Sequence, residues 1–244
     1  MIALLLAAGF GNRLKPLTNT IPKCLVPILE KPLLGYWLEL LSNNKKIKKI
    51  YINTHYLSDQ VEEFIKNYKT EIDVELIHES KLLGTAGTLR NLMNMVSAQD
   101  LFVAHADNLS LFNISDLITS FHQRPKVSEI TMMTFDTDEP QNCGIIKKDK
   151  EGIVIEFHEK KKSFHGFEAN GAVFIFSKKS IYKILKIENC KDISIDILPL
   201  FLGKISAFKN NTYHRDIGNK KSYLIAQDQF PEIYEDWFKR KSNR

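Results

Sequence analysis

The chain has 244 residues, 43% hydrophobic and 26% charged, a balance that excludes a disordered or fibrous protein and suits one compact α/β core. A formal net charge of +5, with runs such as Lys45, Lys46, Lys48 and Lys49 reading as solvated faces, argues against a nucleic-acid surface. Cys24, Cys143 and Cys190 lack Cys-x-x-Cys spacing and no apolar stretch is long enough to span a membrane, so neither a disulfide scaffold, a structural zinc site nor a membrane partner is expected, and a cytoplasmic setting is.

The run 2–8 is continuously apolar and ends at Gly9, the pattern of a strand buried on both faces of a parallel sheet. After a loop through Pro27, Leu33, Leu34, Trp37, Leu38 and Leu41 fall at helical spacing behind Pro32. A strand follows at 49–54, then a helix over 59–68 with Ser58 placed to cap it, a strand at 73–78, a helix over 85–95 and a strand at 101–104. This alternation predicts a doubly wound, Rossmann-like sheet. Beyond Asp107 the expected elements are a helix over 115–123, a strand at 129–135 and a hairpin of 144–148 with 153–157 around the polar turn 149–152. A strand at 172–176, helices at 181–185 and 193–202, short strands at 204–208 and 212–215, and a last helix over 220–229 complete the chain. There is no internal repeat and no low-complexity linker, so the whole of 1–244 is read as one domain.

The most informative stretch is Leu6-Ala7-Ala8-Gly9-Phe10-Gly11-Asn12-Arg13-Leu14, continuing to Ile21-Pro22-Lys23-Cys24-Leu25-Val26-Pro27. A glycine-bearing loop leaving a parallel strand lets backbone N–H groups approach an anion, and Arg13 and Lys23 can supply a bidentate fork and a compact charge to the same phosphates. Leu14 stands where a dinucleotide fingerprint needs its third glycine, and no Walker Gly-Lys-Ser/Thr pattern occurs.

The segment 6–27, followed by Lys31-Pro32-Leu33, closely resembles the signature of the sugar-1-phosphate nucleotidylyltransferases, which include mannose-1-phosphate guanylyltransferases and their uridylyl and thymidylyl relatives. Later stretches fall in the family's order: Gly84-Thr85-Ala86-Gly87 is similar to the base-binding loop, and Asp107 to a metal-binding aspartate. Asn142-Cys143-Gly144-Ile145-Ile146 resembles the sugar-side loop, Glu159-Lys160 and Asn170-Gly171 resemble sugar- and phosphate-contacting positions, and Arg215-Asp216-Ile217-Gly218 resembles the stretch with a second metal-binding aspartate. Lys161 replaces the proline expected after Glu159-Lys160, and His105 and Asn108 flank Asp107 where the family usually shows Asn-Gly-Asp.

The resemblance implies a GT-A type three-layer sandwich with a mostly parallel central sheet, 1–135 serving mainly the nucleotide and 136–244 mainly the sugar. It implies transfer of a nucleotidyl group from a nucleoside triphosphate to a sugar 1-phosphate, mannose- or heptose-like, with release of pyrophosphate. Ala7, Ala8, Gly9, Gly11, Arg13, Glu79, Gly84 and Thr85 are then expected at the nucleotide. Lys23, Gly144, Glu159, Lys160 and Asn170 are expected at the sugar phosphate, with Arg13, Lys23 and Asp107 catalytic. Asp107 and Asp216 are expected to hold Mg²⁺, which takes few protein carboxylates beside phosphate oxygens and water. Glu79, five residues before Gly84, could accept from the two adjacent donors of guanine, which favours GTP; UTP- or CTP-dependent transfer, to another sugar phosphate or to phosphocholine, stays open. So do homo-oligomerisation and a noncatalytic nucleotide-sugar-binding regulatory subunit, although Arg13, Lys23, Asp107 and Asp216 are all present.

Overall fold

A computed structural model of the chain describes residues 1–159 and 166–242. The first elements are β1 (Ile2–Leu6), β2 (Pro27–Ile28), β3 (Lys31–Pro32), α1 (Leu33–Ser42), β4 (Lys49–Thr54), α2 (Ser58–Asn67), β5 (Asp73–His78) and α3 (Thr85–Met95). They are followed by β6 (Leu101–His105), β7 (Asn108–Leu111), α4 (Ile114–Gln123), β8 (Ile130–Asp136), β9 (Gly144–Lys148), β10 (Val154–Glu159) and β11 (Glu168–Phe176). The chain continues with α5 (Lys178–Ile184), β12 (Ile205–Lys209), β13 (Tyr213–Asp216) and α6 (Lys220–Ser242).

Nine strands form the central sheet. β5, β4, β1 and β6 pair in parallel in that order, β11 joins β6 antiparallel, and β8 and β12 continue beyond it, parallel to each other. The β9–β10 hairpin attaches at the amino-terminal end of β11. Only β10 and β11 run against the other strands, so the sheet is mostly parallel, as the alternation predicts.

The continuous apolar run of β1 has a direct cause, because helices cover both of its faces. Ile2, Leu4 and Leu6 enter a core with Leu89 and Leu92 of α3, while Ala3 and Leu5 enter another with Trp37 and Leu38 of α1 and Leu117 of α4. Each fully buried leucine here contributes about 2 kcal/mol of apolar transfer free energy. The result is the expected α/β/α sandwich.

A third cluster lies under α6, where Phe230 and Ala226 pack on Leu14, Val26, Ile28, Leu109 and Leu111. The last helix, expected to end at 229, runs on through Pro231 to Ser242 as α6. An interior proline costs about 3 kcal/mol. Aromatic packing on both sides of it offsets this, with Phe230 at 5.3 Å from Tyr36 and 5.2 Å from Tyr213, and Tyr234 at 5.4 Å from Tyr36. The helix expected over 193–202 is a π-helical turn, Ile193–Ile197, followed by a 3-10 turn, Leu198–Phe201. Ser58 does not cap α2: Leu57, at φ 50°, precedes the helix, and the Ser58 hydroxyl points to Asp59. Among the described residues no helix is long and apolar enough to cross a membrane.

Candidate active site

A short ribbon that the sequence does not announce brings the two aspartates together. β7 and β13 pair antiparallel outside the main sheet, with Asp216 opposite Asn108. Asp107 immediately precedes Asn108, so the register sets both acids at the carboxyl end of β6, where open α/β sheets place ligands. The Asn108 carbonyl accepts the Trp37 indole N–H at 2.8 Å, tying this corner to α1. Trp37→Phe would leave that buried carbonyl unpaired and is expected to cost about 1–3 kcal/mol, read from urea unfolding.

Lys23 stands between the acids. Its Nζ lies 2.6 Å from Asp107 Oδ2 and 3.2 Å from Asp216 Oδ1, and Arg13 Nη2 lies 3.8 Å from Asp216 Oδ2. Burial by itself would lower the Lys23 pKa, but the facing carboxylates outweigh it and hold the ammonium above its ordinary value. Burial likewise opposes ionisation of Asp107, and the charges of Lys23 and His105 overcome it, so its carboxyl sits below the usual range. Gly218 permits the crowding: a Cβ there would be 2.7 Å from Asp216 Oδ2 and 3.1 Å from Arg13 Nη2. Next to Asp216, His214 is pulled down to about 3 by burial, then by His105 and Arg215, and is neutral at pH 7.

A cavity of about 250 Å³ opens beside this cluster and is lined by Ala8, Gly9, Glu79, Gly84, Thr85 and Asp107 among others. Arg13 and Asp216 line a larger neighbouring cleft of about 540 Å³ together with Asn142 and Cys143. The two glycines of the amino-terminal loop differ in kind. Gly11 is at φ +64°, and a Cβ on it would meet Thr18 Cγ2 at 2.9 Å, so the fold itself demands glycine there. At Gly9 a Cβ would meet nothing within 4 Å, and the space it would enter is open to the cavity.

Glu79 is buried in a network. Its Oε1 accepts from Asn53 Nδ2 at 3.0 Å and from the Thr88 hydroxyl, and its Oε2 accepts the Leu83 N–H at 3.1 Å. Asn53 Oδ1 in turn accepts the Ala7 N–H at 2.7 Å, which joins the end of β1 to the loop before α3. A carboxylate has about four acceptor positions, so the network leaves about one, on Oε2, where a two-donor guanine edge needs one on each oxygen. The expected bidentate contact from Glu79 to guanine therefore does not fit this arrangement. Asn53 and Thr88 line the cavity without having been singled out, and His105, noted only as a departure from the family pattern, lines it too. Asn53, a polar residue at the carboxyl end of the apolar strand β4, carried the available signal.

On the other side of the sheet's centre, Gly144 and Glu159 pair across β9 and β10, and Ala169, next to Asn170, pairs with Ile145. A Cβ on Gly144 would come within 2.5 Å of Glu159 Oε2 and 2.6 Å of the Phe157 ring. Asn170 Oδ1 accepts the Ala172 N–H at 2.9 Å, where β11 shifts register and Ala172 takes φ 52°. These three residues gather on adjacent strands but line neither cavity described above. Lys160 lies outside the described residues.

A glycine loop, a buried lysine and two convergent acids thus meet beside a cavity at the ends of parallel strands. The chain belongs to the nucleotidyl transferase family, whose model matches residues 2–232. It is 30% identical to a mannose-1-phosphate guanylyltransferase catalytic subunit beta of Drosophila pseudoobscura pseudoobscura over 95% of this chain, and it spans 65% of that relative's length. HddC from Yersinia pseudotuberculosis, crystallised with GMP-PN, is similar at 27% identity and a TM-score of 0.74, over 93% of this chain and 98% of that one. A Bacillus anthracis protein described as a glucose-1-phosphate thymidylyltransferase shares the fold at a TM-score of 0.79 and 21% identity, over 93% and 94% of the two chains.

Proposed function

We propose that this chain transfers a nucleotidyl group from a nucleoside triphosphate to a sugar 1-phosphate, forming a nucleotide sugar and pyrophosphate. The observation that carries the proposal is the meeting of Asp107, Asp216, Lys23 and Arg13, with Asp107 lining a cavity walled by Gly9 and Gly84. Attack by a sugar-phosphate oxygen on the α-phosphorus brings two anions together, so positioning and charge neutralisation carry most of the barrier reduction. Lys23, kept protonated by the acids, offers a fixed positive charge at that point. Arg13, on the glycine loop, faces the departing pyrophosphate. The residues 1–135 serve mainly the nucleotide, and 136–244, with Gly144, Glu159 and Asn170, mainly the sugar.

Asp107 and Asp216 fit a hard divalent cation, because oxygens from both already converge on one positive charge and phosphate oxygens would complete the shell. The pair is the candidate Mg²⁺ site, although among the described residues no group of three or more His, Cys, Asp or Glu side chains could hold a metal ion. When bound, the ion would neutralise charge on the phosphates between the two substrates.

GTP is the first candidate donor, supported by the guanylyltransferase relatives and by the nucleotide bound to HddC. The Glu79 network favours a second reading of the base alone: one remaining acceptor suits the single N3–H of uracil. A panel of nucleoside triphosphates against sugar 1-phosphates, followed by pyrophosphate release with and without Mg²⁺, decides both questions. Binding of nucleotide sugars with no turnover for any pair would instead mark a regulatory subunit.

The loop glycines supply a further prediction. Gly9→Ala is expected to leave the melting temperature within about 1 °C of wild type, while raising KM for the triphosphate about tenfold by filling the space of a phosphate. Gly11→Ala is expected to cost about 1–3 kcal/mol of stability through its left-handed backbone. Equal thermal shifts in the two variants would contradict the distinction.

A further inference from the structure

The loop at the mouth of the nucleotide cavity is held in place by a turn more than half the chain away from the glycine signature. Gly84, at φ +77°, lies under the Lys191 carbonyl so closely that a Cβ would be 2.3 Å from its oxygen. The same carbonyl accepts the Ala86 N–H at 2.9 Å, one of the free donors in the first turn of α3. The Thr85 hydroxyl accepts the Ile193 N–H at 2.8 Å and points to Asp192 Oδ2 at 3.4 Å.

Two carboxylates fix the turn that makes these contacts. Asp196 Oδ2 accepts both the Lys191 N–H at 2.7 Å and the Asp192 N–H at 2.8 Å, and these two donors hold its carboxyl below the ordinary range. Asp192 Oδ1 accepts the Ser194 and Ile195 N–H groups at 2.7 and 3.1 Å. With the turn's amides satisfied internally, the Lys191 carbonyl and the Thr85 contacts are what it presents to the loop. Neither aspartate lines the cavity.

We propose that Asp196 and Asp192 are positioning residues for the nucleotide: they set the height of the Gly84–Thr85 loop over the cavity and thereby the affinity for the triphosphate. This rests on the nucleotidyl-transfer reading of the site. The Ala86 N–H to Lys191 carbonyl bond joins loop and turn through the backbone, with the Thr85 hydroxyl as a second tie, so a small shift of the turn displaces the loop backbone itself. A merely structural role would change stability and leave substrate discrimination alone.

The test compares Asp196→Ala, Asp196→Asn and Asp192→Ala with wild type in KM for the triphosphate, KM for the sugar 1-phosphate, kcat, and amide hydrogen exchange at Ala86. Asp196→Ala is expected to raise KM for the triphosphate about tenfold, with kcat and the other KM within about twofold, and to speed exchange at Ala86. Asp196→Asn, which keeps an acceptor oxygen, is expected to recover most of the loss. Should Asp196→Ala fail to fold, Asp192→Ala carries the same expectation through the Thr85 contact. A folded variant with wild-type KM and wild-type protection at Ala86 would overturn the proposal. If the wild type turns over no substrate pair, nucleotidyl transfer is what fails, and exchange at Ala86 with equilibrium binding of GTP and UTP still decides the positioning role.

Discussion

Asp107→Asn and Asp216→Asn are each expected to lower turnover by about a hundredfold or more with little change in the fold, the equivalent of losing roughly 3 kcal/mol of transition-state stabilisation. Both substitutions keep the shape of the side chain and remove the charge. Because β7 and β13 hold these positions through backbone pairing, the ribbon survives either change. Asp73→Asn, in the edge strand β5, where the exposed Asp73 carboxylate pairs with the half-buried Lys49, is the control and should stay within about twofold of wild type. Initial rates of pyrophosphate release at saturating substrates make the comparison. Wild-type turnover in either active-site variant would remove the charge-neutralisation role from that carboxylate and the metal role with it.

The parts of this architecture that were legible in the sequence are those where one physical signal dominates. β1 is read correctly because a strand covered on both faces must be apolar throughout, and α3 because Gly84 and its following residues mark a start that the packing keeps. The hairpin β9–β10 follows from the polar turn between two apolar runs. What stayed hidden depends on distant partners. β7 is four residues of Asn-Leu-Ser-Leu with no turn signal to bound it, and its strand character exists only because β13 pairs with it. The continuation of α6 past Pro231 needs Tyr36 and Tyr213, which local propensity cannot see.

The same holds at the site. Residue types along the glycine loop and at Asp107 and Asp216 pointed to phosphate chemistry, and the structure gathers Arg13, Lys23 and both acids at one place. The occupation of Glu79 by Asn53, Thr88 and Leu83 was not legible, since hydrogen bonds across β4, β5 and α3 have no periodic trace.

Lys23→Met separates the charge balance of this cluster from its chemistry. Without the ammonium, Asp107 keeps its burial and loses its main counter-charge, while Asp216 is half open to solvent. Breaking the arrangement is therefore expected to cost roughly 2–3 kcal/mol at pH 7, near the low end for a buried pair. The pH dependence follows from the two shifts. Asp107, with its folded pKa lowered, contributes stability that is fully present above the ordinary carboxylate value and is lost as pH falls through the lower folded one. Lys23, raised, contributes stability that is lost only as pH climbs through its elevated folded value. The gap between variant and wild type should accordingly be constant across neutral pH and close below about pH 4. Mg²⁺ offers a replacement charge at the same oxygens, and it should raise the melting temperature of Lys23→Met more than that of wild type, where the lysine competes for them. Turnover should remain depressed in the stabilised variant, because the ion restores the balance of the acids but not the ammonium that the proposed reaction places against the substrate phosphates. Equal Mg²⁺ shifts in the two proteins would mean that the ion, if it binds, does so away from Asp107 and Asp216.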